Sequence, residues 1–442
     1  MRLFRIFLLF ALSLQASSLF EKGNTATTFL FRTDFGSMKG ADTLPAGLLL
    51  IDTSADLPEW HFDLSLLMQG QKDFSDTGVS FNRLSATRYF GDNEVKIGKF
   101  VTQVGVLDYL SVSNILNTVR LPFFDDPDPQ IRRIPQWMAK VELLPKEDVR
   151  LRLFAEPFDR RYHDYTSTYL SLALDRLLPA YLQSQHLNNP MLEEIKKEIL
   201  LPAYRNAVAP AVKKQVNDYY NPEDLSIDKA MAGFDLTYQG FDTTLGLSWF
   251  NKYSEIPYVK IDARLLDMAL EREDPARALQ EYLEQNDLSL VKGVDGFRYN
   301  QVSLYGETSF SRFGLRAEAT YRDRFPFVDG YTALSTVGMG IDDNGEHFYN
   351  DLEAQVLYSH KDRHTLFAAI WDCRYRPFFL HGVEVTAENY TMLGAVEGEQ
   401  QFSFLPTVTL TYQSRLSLQL RYLLYPDDHD LNIFSTTLGV RF

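Results

Sequence analysis

Several features that define common protein classes are missing from this sequence. It contains a single cysteine, Cys373, in 442 residues, so it forms no internal disulfide. No segment reaches the roughly 20 consecutive apolar residues of a transmembrane helix. The sequence also lacks Gly-x-Ser-x-Gly, His-Glu-x-x-His and phosphate-loop motifs. We therefore predict that the protein is not an enzyme and binds no cofactor, and that any membrane contact is made by strands.

Basic residues are in the minority. The chain has 44 Lys and Arg residues against 59 Asp and Glu residues, a net charge of -15, which argues against a nucleic-acid partner. Aromatic residues are abundant, with 24 Tyr and 32 Phe, although 23% of the chain is charged. A transmembrane β-barrel combines these properties, because its aromatic residues face lipid while its lumen stays polar.

The first 18 residues have the layout of a secretory signal peptide. Arg2 and Arg5 form a basic start, an apolar run follows over 6–14, and small residues come next. The apolar run is too short to cross a bilayer. We predict a signal peptide over 1–18 and a single β-barrel domain over 19–442.

Apolar and polar residues alternate along most of the chain. In one segment, Leu151 and Leu153 fall on one side and Arg150 and Arg152 on the other. This period of two is typical of a strand with one face buried. The pattern predicts an all-β protein, a single antiparallel transmembrane outer-membrane β-barrel of 16–18 strands with helical loop insertions. Towards the C terminus the expected strands are 345–358, 365–375, 378–387, 389–396, 404–412, 416–425 and 431–442.

The connections between the predicted strands differ in length. Short polar turns are expected at 91–93, 145–148, 239–242, 311–314, 359–364 and 413–415. Long loops are expected at 102–135, 158–229, 253–296, 324–344 and 397–403. Counted back from the C terminus, the short turns fall on one side, taken as periplasmic, and the long loops on the other. This is the pattern of bacterial outer-membrane barrels.

That pattern predicts a location in the outer membrane of a Gram-negative bacterium. The expected partners are outer-membrane lipid, lipopolysaccharide and the barrel assembly machinery. A homotrimer is one option for the oligomeric state. The turn at 359–364, which carries His360 and His364, is expected to be a solvated periplasmic turn.

Two loop insertions have helical periodicity. Apolar residues in 165–220 recur at spacings of three and four, and 262–286 is helical in pattern around Pro275. Helices packed on the barrel rim explain this pattern, and so does a lid folded into the lumen. The sequence leaves both alternatives open.

A set of charged residues falls on the polar side of the predicted strands. Facing lipid at mid-membrane, each Arg or Lys would cost about 2–4 kcal/mol, whereas a wet lumen accepts them. These residues either set solute selectivity or form ion pairs with one another that stabilise the barrel wall. The excess of arginine among them favours anionic or amphipathic solutes. The lumen-lining candidates are Arg150, Arg152, Arg316, Glu318, Arg322, Glu353 and Arg421.

An acidic loop offers oxygen ligands for a cation. Asp125, Asp126 and Asp128 lie close together in sequence, as Ca²⁺ ligands do. They do not match the twelve-residue calcium-loop pattern. We therefore predict no metal site and interpret the loop as solvated or as bridged to lipopolysaccharide through divalent ions.

The last predicted strand has an apolar stripe. Phe434, Leu438, Val440 and Phe442 alternate with polar or small residues. Terminal strands of this form resemble the signal by which outer-membrane barrels are recognised for insertion. We expect these four residues to face lipid and to act as the assembly signal.

One early segment resembles a known family. Gly98-Lys99 ends a strand, Gln103-Val104-Gly105 follows, and Asn114 and Asn117 precede a long loop. The segment is similar to a motif of large outer-membrane porin-like β-barrels from bacteria that handle lipids, hydrocarbons and sterols. That family has Arg, Trp and Pro where this chain has Lys99, Val104 and Thr118. The resemblance implies a barrel that passes hydrophobic or amphipathic compounds, with an inner-membrane exporter as a candidate partner.

Together these features predict a porin-like or channel-like transporter. Its expected solutes are small amphipathic, hydrophobic or anionic molecules. The alternative is a non-conducting structural or lipid-handling partner of an export system, and an outer-membrane hydrolase ranks below both.

Overall fold

The structure is a computed structural model of the chain. It describes residues 24–36, 47–70, 77–117, 132–158, 226–254, 258–261, 291–327, 330–361, 365–396, 399–424 and 433–441, with isolated positions at 197, 202, 210, 214 and 363. The predicted signal peptide, most of the insertions 165–220 and 262–286, the acidic loop and Phe442 lie outside these residues. Within the described ranges, no helix is long and apolar enough to cross a membrane.

The described part of the chain contains twenty strands. They are β1 (Asn24–Gly36), β2 (Gly47–Leu57), β3 (Trp60–Gly70), β4 (Thr77–Phe90), β5 (Asn93–Phe100), β6 (Gln136–Lys146), β7 (Val149–Phe158), β8 (Ser226–Gly240), β9 (Thr243–Tyr253), β10 (Tyr258–Ile261), β11 (Val291–Asp295), β12 (Arg298–Phe310), β13 (Phe313–Phe327), β14 (Gly330–Asn344), β15 (Phe348–Ser359), β16 (Thr365–Leu380), β17 (Val383–Val396), β18 (Glu399–Tyr412), β19 (Leu416–Leu423) and β20 (Ile433–Arg441).

Eighteen of these strands form one closed antiparallel sheet. Each of these strands pairs with the strands next to it in sequence, except that β9 pairs with β12, and β10 and β11 form a separate two-stranded sheet. The ring closes where β1 pairs with β20 as well as β2, with Phe31 opposite Leu438. The single antiparallel barrel predicted from the sequence is confirmed, at the upper end of the expected strand number.

The two faces of the sheet differ in chemistry. Along β12, Gln301 and Ser303 are buried, whereas Val302 and Leu304, which alternate with them, are exposed. The same alternation puts apolar side chains on the outer face and most charged side chains on the inner face of the other strands. An apolar outer face is the condition for a barrel to lie in lipid, where an exposed Arg or Lys is costly.

The two ends of the barrel differ in the length of their connections. At one end, eight connections of two or three residues join successive strands, at 58–59, 91–92, 147–148, 241–242, 311–312, 345–347, 381–382 and 413–415. The loops 101–135, 159–225 and 254–297 emerge from the other end, and β1 begins and β20 ends at the short-turn end. The connections 328–329 and 397–398 at the long-loop end are also short, but all the long loops lie there, and this matches the outer-membrane pattern.

One predicted loop is a strand. The segment 324–344 was expected to be a long loop, but its second part forms β14, which pairs with β13 and β15. The extra strand shifts the following turn to the opposite end, so Ser359 and His360 lie at the long-loop end. The prediction of a periplasmic position for this turn was wrong.

Three predicted strands are two. The segments 365–375, 378–387 and 389–396 were expected to be separate strands, but β16 continues through Pro377 to Leu380 and β17 runs from Val383 to Val396. The register of β16 with β17 shifts between Tyr375 and Phe378, and this irregularity accommodates the proline. The actual turn is His381-Gly382, where φ is 51° and 83°. The prediction lacked β14 and had one strand too many between 365 and 396, so the predicted total of 18 strands equals the observed one.

Candidate functional site

Residues 101–117, which follow β5, cross the inside of the barrel, and we call them the lumen loop. Their backbone is bonded to inner-face side chains of strands far apart in the ring. Arg152 of β7 donates to Gln103 O at 2.9 Å, and Lys252 of β9 donates to Ile115 O at 2.7 Å. Carboxylates of β13 and β15, further along the ring, hold the middle of the loop.

Glu318 of β13 is the first of these carboxylates. Its Oε1 accepts the backbone N–H groups of Val106 and Leu107 at 2.6 and 2.8 Å. Its Oε2 accepts those of Val112 and Ser113 at 2.9 and 2.8 Å. The Ser111 hydroxyl lies 3.1 Å from both oxygens, and Glu318 is 1% exposed.

Glu353 of β15 is the second. Its Oε1 accepts the N–H of Asp108 at 2.6 Å, and its Oε2 accepts those of Tyr109 and Leu110 at 2.9 and 2.8 Å. Glu353 is fully buried. Every residue from 106 to 113 thus donates a hydrogen bond to one of two buried carboxylates. Hydrogen bonds to a charged group each contribute about 1.5–3 kcal/mol, so this arrangement fixes the loop strongly.

The tip of the loop is bonded further round the ring. The Tyr109 hydroxyl donates to Asp372 Oδ2 of β16 at 2.9 Å, and its ring meets Tyr390 of β17 edge-on at 5.5 Å. Tyr390 donates to Glu388 at 2.7 Å, and Glu388 also binds Arg374. The loop therefore reaches from β5 to β17.

An amide side chain closes the base of the loop. Asn117 Nδ2 donates to Phe100 O and Ile134 O at 3.1 and 3.0 Å, and its Oδ1 accepts the N–H of Thr102 at 2.7 Å. Asn117 belongs to the segment that carries the family resemblance. It holds the two ends of the loop together.

Apolar side chains fill the space between the loop and one part of the wall. Val104, Val106 and Leu116 of the loop pack with inner-face residues of β5–β9 and β12. These wall residues are Phe100, Met138, Phe154, Met231, Phe250 and Tyr305. They occupy positions that the alternation assigns to a polar lumen. A signal for the buried loop was present in the sequence, as Phe154 follows Arg150 and Arg152 on the same side of β7.

Two of the predicted lumen arginines are engaged in ion pairs. Arg152 donates from Nε and Nη2 to Asp235 Oδ2 at 2.9 and 2.6 Å. Arg316 binds Asp108 at 2.8 Å and Asp351, and lies 3.3 Å from Glu353. Asp108, Asp351 and Glu353 lie close enough to share a cation. The Arg316 guanidinium already binds all three carboxylates, so we assign no metal to this cluster.

The other predicted arginines lie on the inner face with different partners. Arg322 donates to the neutral Gln301 Oε1 at 3.2 and 2.9 Å and stacks over Tyr299 at 4.6 Å. Arg150 is half-buried, and its Nε has no hydrogen-bond partner among the described residues. Arg421 is buried.

The predicted assembly stripe lies partly within the described strand β20. Phe434 and Leu438 are exposed on the outer face, and Val440 is half-buried. A role of these residues in assembly stays a prediction.

The solved structures similar to this chain include outer-membrane channels. OpdK of Pseudomonas aeruginosa is 10% identical over 95% of this chain and 99% of its own, with a TM-score of 0.47. OccK3 (OpdO) of the same organism is 10% identical over 97% of both chains, with a TM-score of 0.49. The channel DcaP of Acinetobacter baumannii is 7% identical over 95% of this chain and 97% of its own, with a TM-score of 0.42. No family model and no curated protein matches the chain.

At these TM-scores the fold rests on the strand pairing within the chain itself. A closed barrel with an even strand number, an apolar outer face and loops sorted by length is the architecture of bacterial outer-membrane proteins. The chain is an outer-membrane β-barrel. The resemblance to barrels of lipid-handling and sterol-handling bacteria stays a prediction.

Proposed function

We propose that this barrel is an outer-membrane channel for small solutes, narrowed by the lumen loop. The observation that carries the proposal is the fixation of residues 106–113 by Glu318 and Glu353. A segment bonded across the barrel leaves only part of the cross-section for solutes, and its bonds keep that part constant in size.

The wall opposite the loop suits a polar path. The lumen loop is bonded to or packed against β5–β9 and β12–β17. The inner faces of β2–β4 and β18–β20 are mainly polar, although Leu50, Leu67, Leu405 and Leu423 are also buried there. Arg83 pairs with Asp52 at 2.9 Å on this wall, and Asp63 of β3 pairs with Lys96 of the adjoining β5 at 3.0 Å. The remaining inner-face residues include Ser65, Ser85, Thr87, Thr407, Arg421 and Thr437.

Charge favours anions among the expected solutes. Arg316 and Arg152 are neutralised by carboxylates, but Arg322 binds neutral groups and Arg150 has no carboxylate partner in the described part of the chain. Two cations on a wet wall without a carboxylate partner among the described residues attract anionic groups. We therefore favour anionic and amphipathic solutes over hydrophobic ones.

Planar-bilayer recording tests the channel. We expect wild-type protein to give stable single-channel steps with a reversal potential that indicates anion selectivity. Glu318→Gln and Glu353→Gln place amide N–H groups against the loop N–H donors, so they should give larger and noisier steps. Glu307→Gln is the matched control, since Glu307 is an exposed inner-face carboxylate near the short-turn end. Silence of the wild type and of both loop variants would favour the non-conducting alternative.

A further inference from the structure

A buried arginine lies beside the tip of the lumen loop. Arg132, just before β6, is 3% exposed. Its Nη2 donates to Asp108 O at 2.6 Å, and its guanidinium stacks over the Tyr109 ring at 4.9 Å. These contacts hold the plane of the guanidinium in one orientation against the loop.

The same guanidinium has donors without partners. Its Nε and Nη1 are buried, and neither has a hydrogen-bond partner within the described ranges of the chain. A guanidinium carries five N–H donors and stays charged, so burial without a counter-charge is costly. The Arg132 guanidinium is therefore a buried positive group whose Nε and Nη1 donors remain available to a ligand.

A second buried arginine increases the positive charge at this place. Arg133 is also 3% exposed and donates from Nη1 to Asn117 O at 3.0 Å. Burial, together with the neighbouring charge of Arg132, lowers the pKa of Arg133 to about 10. Two adjacent cations are therefore buried at the base and tip of the lumen loop.

The carboxylates nearest to this pair are already engaged. Asp108 binds Arg316 through its side chain at 2.8 Å and offers Arg132 only its carbonyl oxygen. Glu318 and Glu353 accept the backbone N–H groups of the loop. The described residues thus supply hydrogen-bond acceptors to the arginine pair but no carboxylate of its own.

We propose that Arg132 is a binding site for an oxyanion, namely a carboxylate or phosphate group of a solute held beside the lumen loop. Guanidinium groups suit such ligands because they combine charge with several directed N–H donors. Arg133 adds positive charge to the site. This inference deepens the proposed function, since it names the chemical group that the channel recognises.

Anion binding to purified protein in detergent tests the site. Calorimetric titrations with sodium phosphate and with sodium benzoate are compared with sodium chloride at matched ionic strength. We expect wild-type protein to bind at least one oxyanion in preference to chloride. Binding of benzoate alone indicates a carboxylate solute, and binding of phosphate alone indicates a phosphate solute.

Substitutions locate the binding. Arg132→Gln removes the charge and should weaken oxyanion binding about tenfold or more, as the loss of a charge-assisted hydrogen bond does. Arg132→Lys keeps the charge and should have an intermediate effect. Arg312→Gln is the control, because Arg312 is an exposed arginine at a short turn, paired with Asp343. It should bind as wild type does.

Two results would overturn the site: no preference for oxyanions in the wild type, or equal binding by wild type and Arg132→Gln. Folding of each variant is checked by heat-modifiable migration, and Arg132→Lys decides the question if Arg132→Gln does not fold. Binding in detergent does not require conduction. A conducting barrel without oxyanion binding therefore refutes only this site, and a non-conducting barrel that binds refutes only the channel.

Discussion

Leu107 of the lumen loop lies directly against Gly338 of β14. A Cβ atom on this glycine would come within 2.6 Å of Leu107 Cδ1, and one on Gly340 would come within 2.8 Å of Leu107 Cδ2. Leu107 is fully buried there. The loop and the wall fit each other at a place where the wall has no side chains.

A side chain added at Gly338 should displace the lumen loop. Gly338→Val introduces a branched side chain under Leu107, and overpacking of this kind typically costs about 1–3 kcal/mol. We expect a lower temperature for loss of the fast-migrating folded form in heat-modifiability gels. We also expect noisier single-channel steps, because the loop is pushed from its position between Glu318 and Glu353.

Gly394→Val is the matched control. Gly394 lies on the inner face of β17, and a Cβ built there meets no atom within 4 Å. The control carries the same change in strand propensity without the contact to the loop. Equal effects at Gly338 and Gly394 would show that Leu107 is irrelevant to the result.

The same pair of residues explains why β14 was missed. The outer positions of this strand alternate clearly, with Val337, Met339 and Ile341 exposed. The inner positions include Gly338 and Gly340, which are locally typical of a loop. These glycines leave space for Leu107, which is more than 200 residues earlier in the sequence, so their role is recognised only in the folded structure. Period-two alternation predicted the barrel because it can be read from neighbouring residues. The contact of Leu107 with Gly338 cannot be read in this way, because the two residues are far apart in sequence.

Gly105→Ala should release the loop by a different route. Gly105 has a φ of 95°, and a Cβ there would lie 2.3 Å from Glu318 Oε1 and 2.9 Å from Ser111 Oγ. The backbone strain alone costs about 1–3 kcal/mol. We expect the conductance change of Gly105→Ala to resemble that of Glu318→Gln, and the double variant to add little to either.

Gly91→Ala separates backbone strain from the contact with Glu318. Gly91 has a φ of 61° but lies in an exposed turn, where an added Cβ meets nothing within 4 Å. It should lower stability without changing the conductance. Additive effects of Gly105→Ala and Glu318→Gln on channel noise would contradict a shared mechanism.

The content of the lumen could be predicted only in part. Alternation puts charged residues such as Arg152 and Glu318 on the inner face of their strands, and both side chains are buried in the structure. It cannot reveal that Glu318 binds backbone N–H groups, since that contact joins residues more than 200 positions apart. The expectation that inner-face residues are polar also fails for Phe154 and Phe250. These two residues face inward because they pack against apolar residues of the lumen loop.

The ion pair of Arg152 and Asp235 should be important for stability. Asp235 is fully buried and also accepts a hydrogen bond from Tyr305, so Arg152→Ala leaves a buried carboxylate without its cation. Breaking a buried pair in this way costs about 3–5 kcal/mol. We expect a marked loss of resistance to urea unfolding in lipid vesicles.

Two further variants test whether the loss comes from the unpaired charge. Arg152→Met combined with Asp235→Leu removes both charges and should recover much of the stability, because no buried charge is left unpaired. Arg312→Ala breaks an exposed pair with Asp343, so its cost should stay at about 0–1 kcal/mol. If Arg152→Ala unfolds at the same urea concentration as Arg312→Ala, the pair does not stabilise the wall. If the double variant is no more stable than Arg152→Ala, the loss comes from packing around Gln103 and Phe154 and not from the charge.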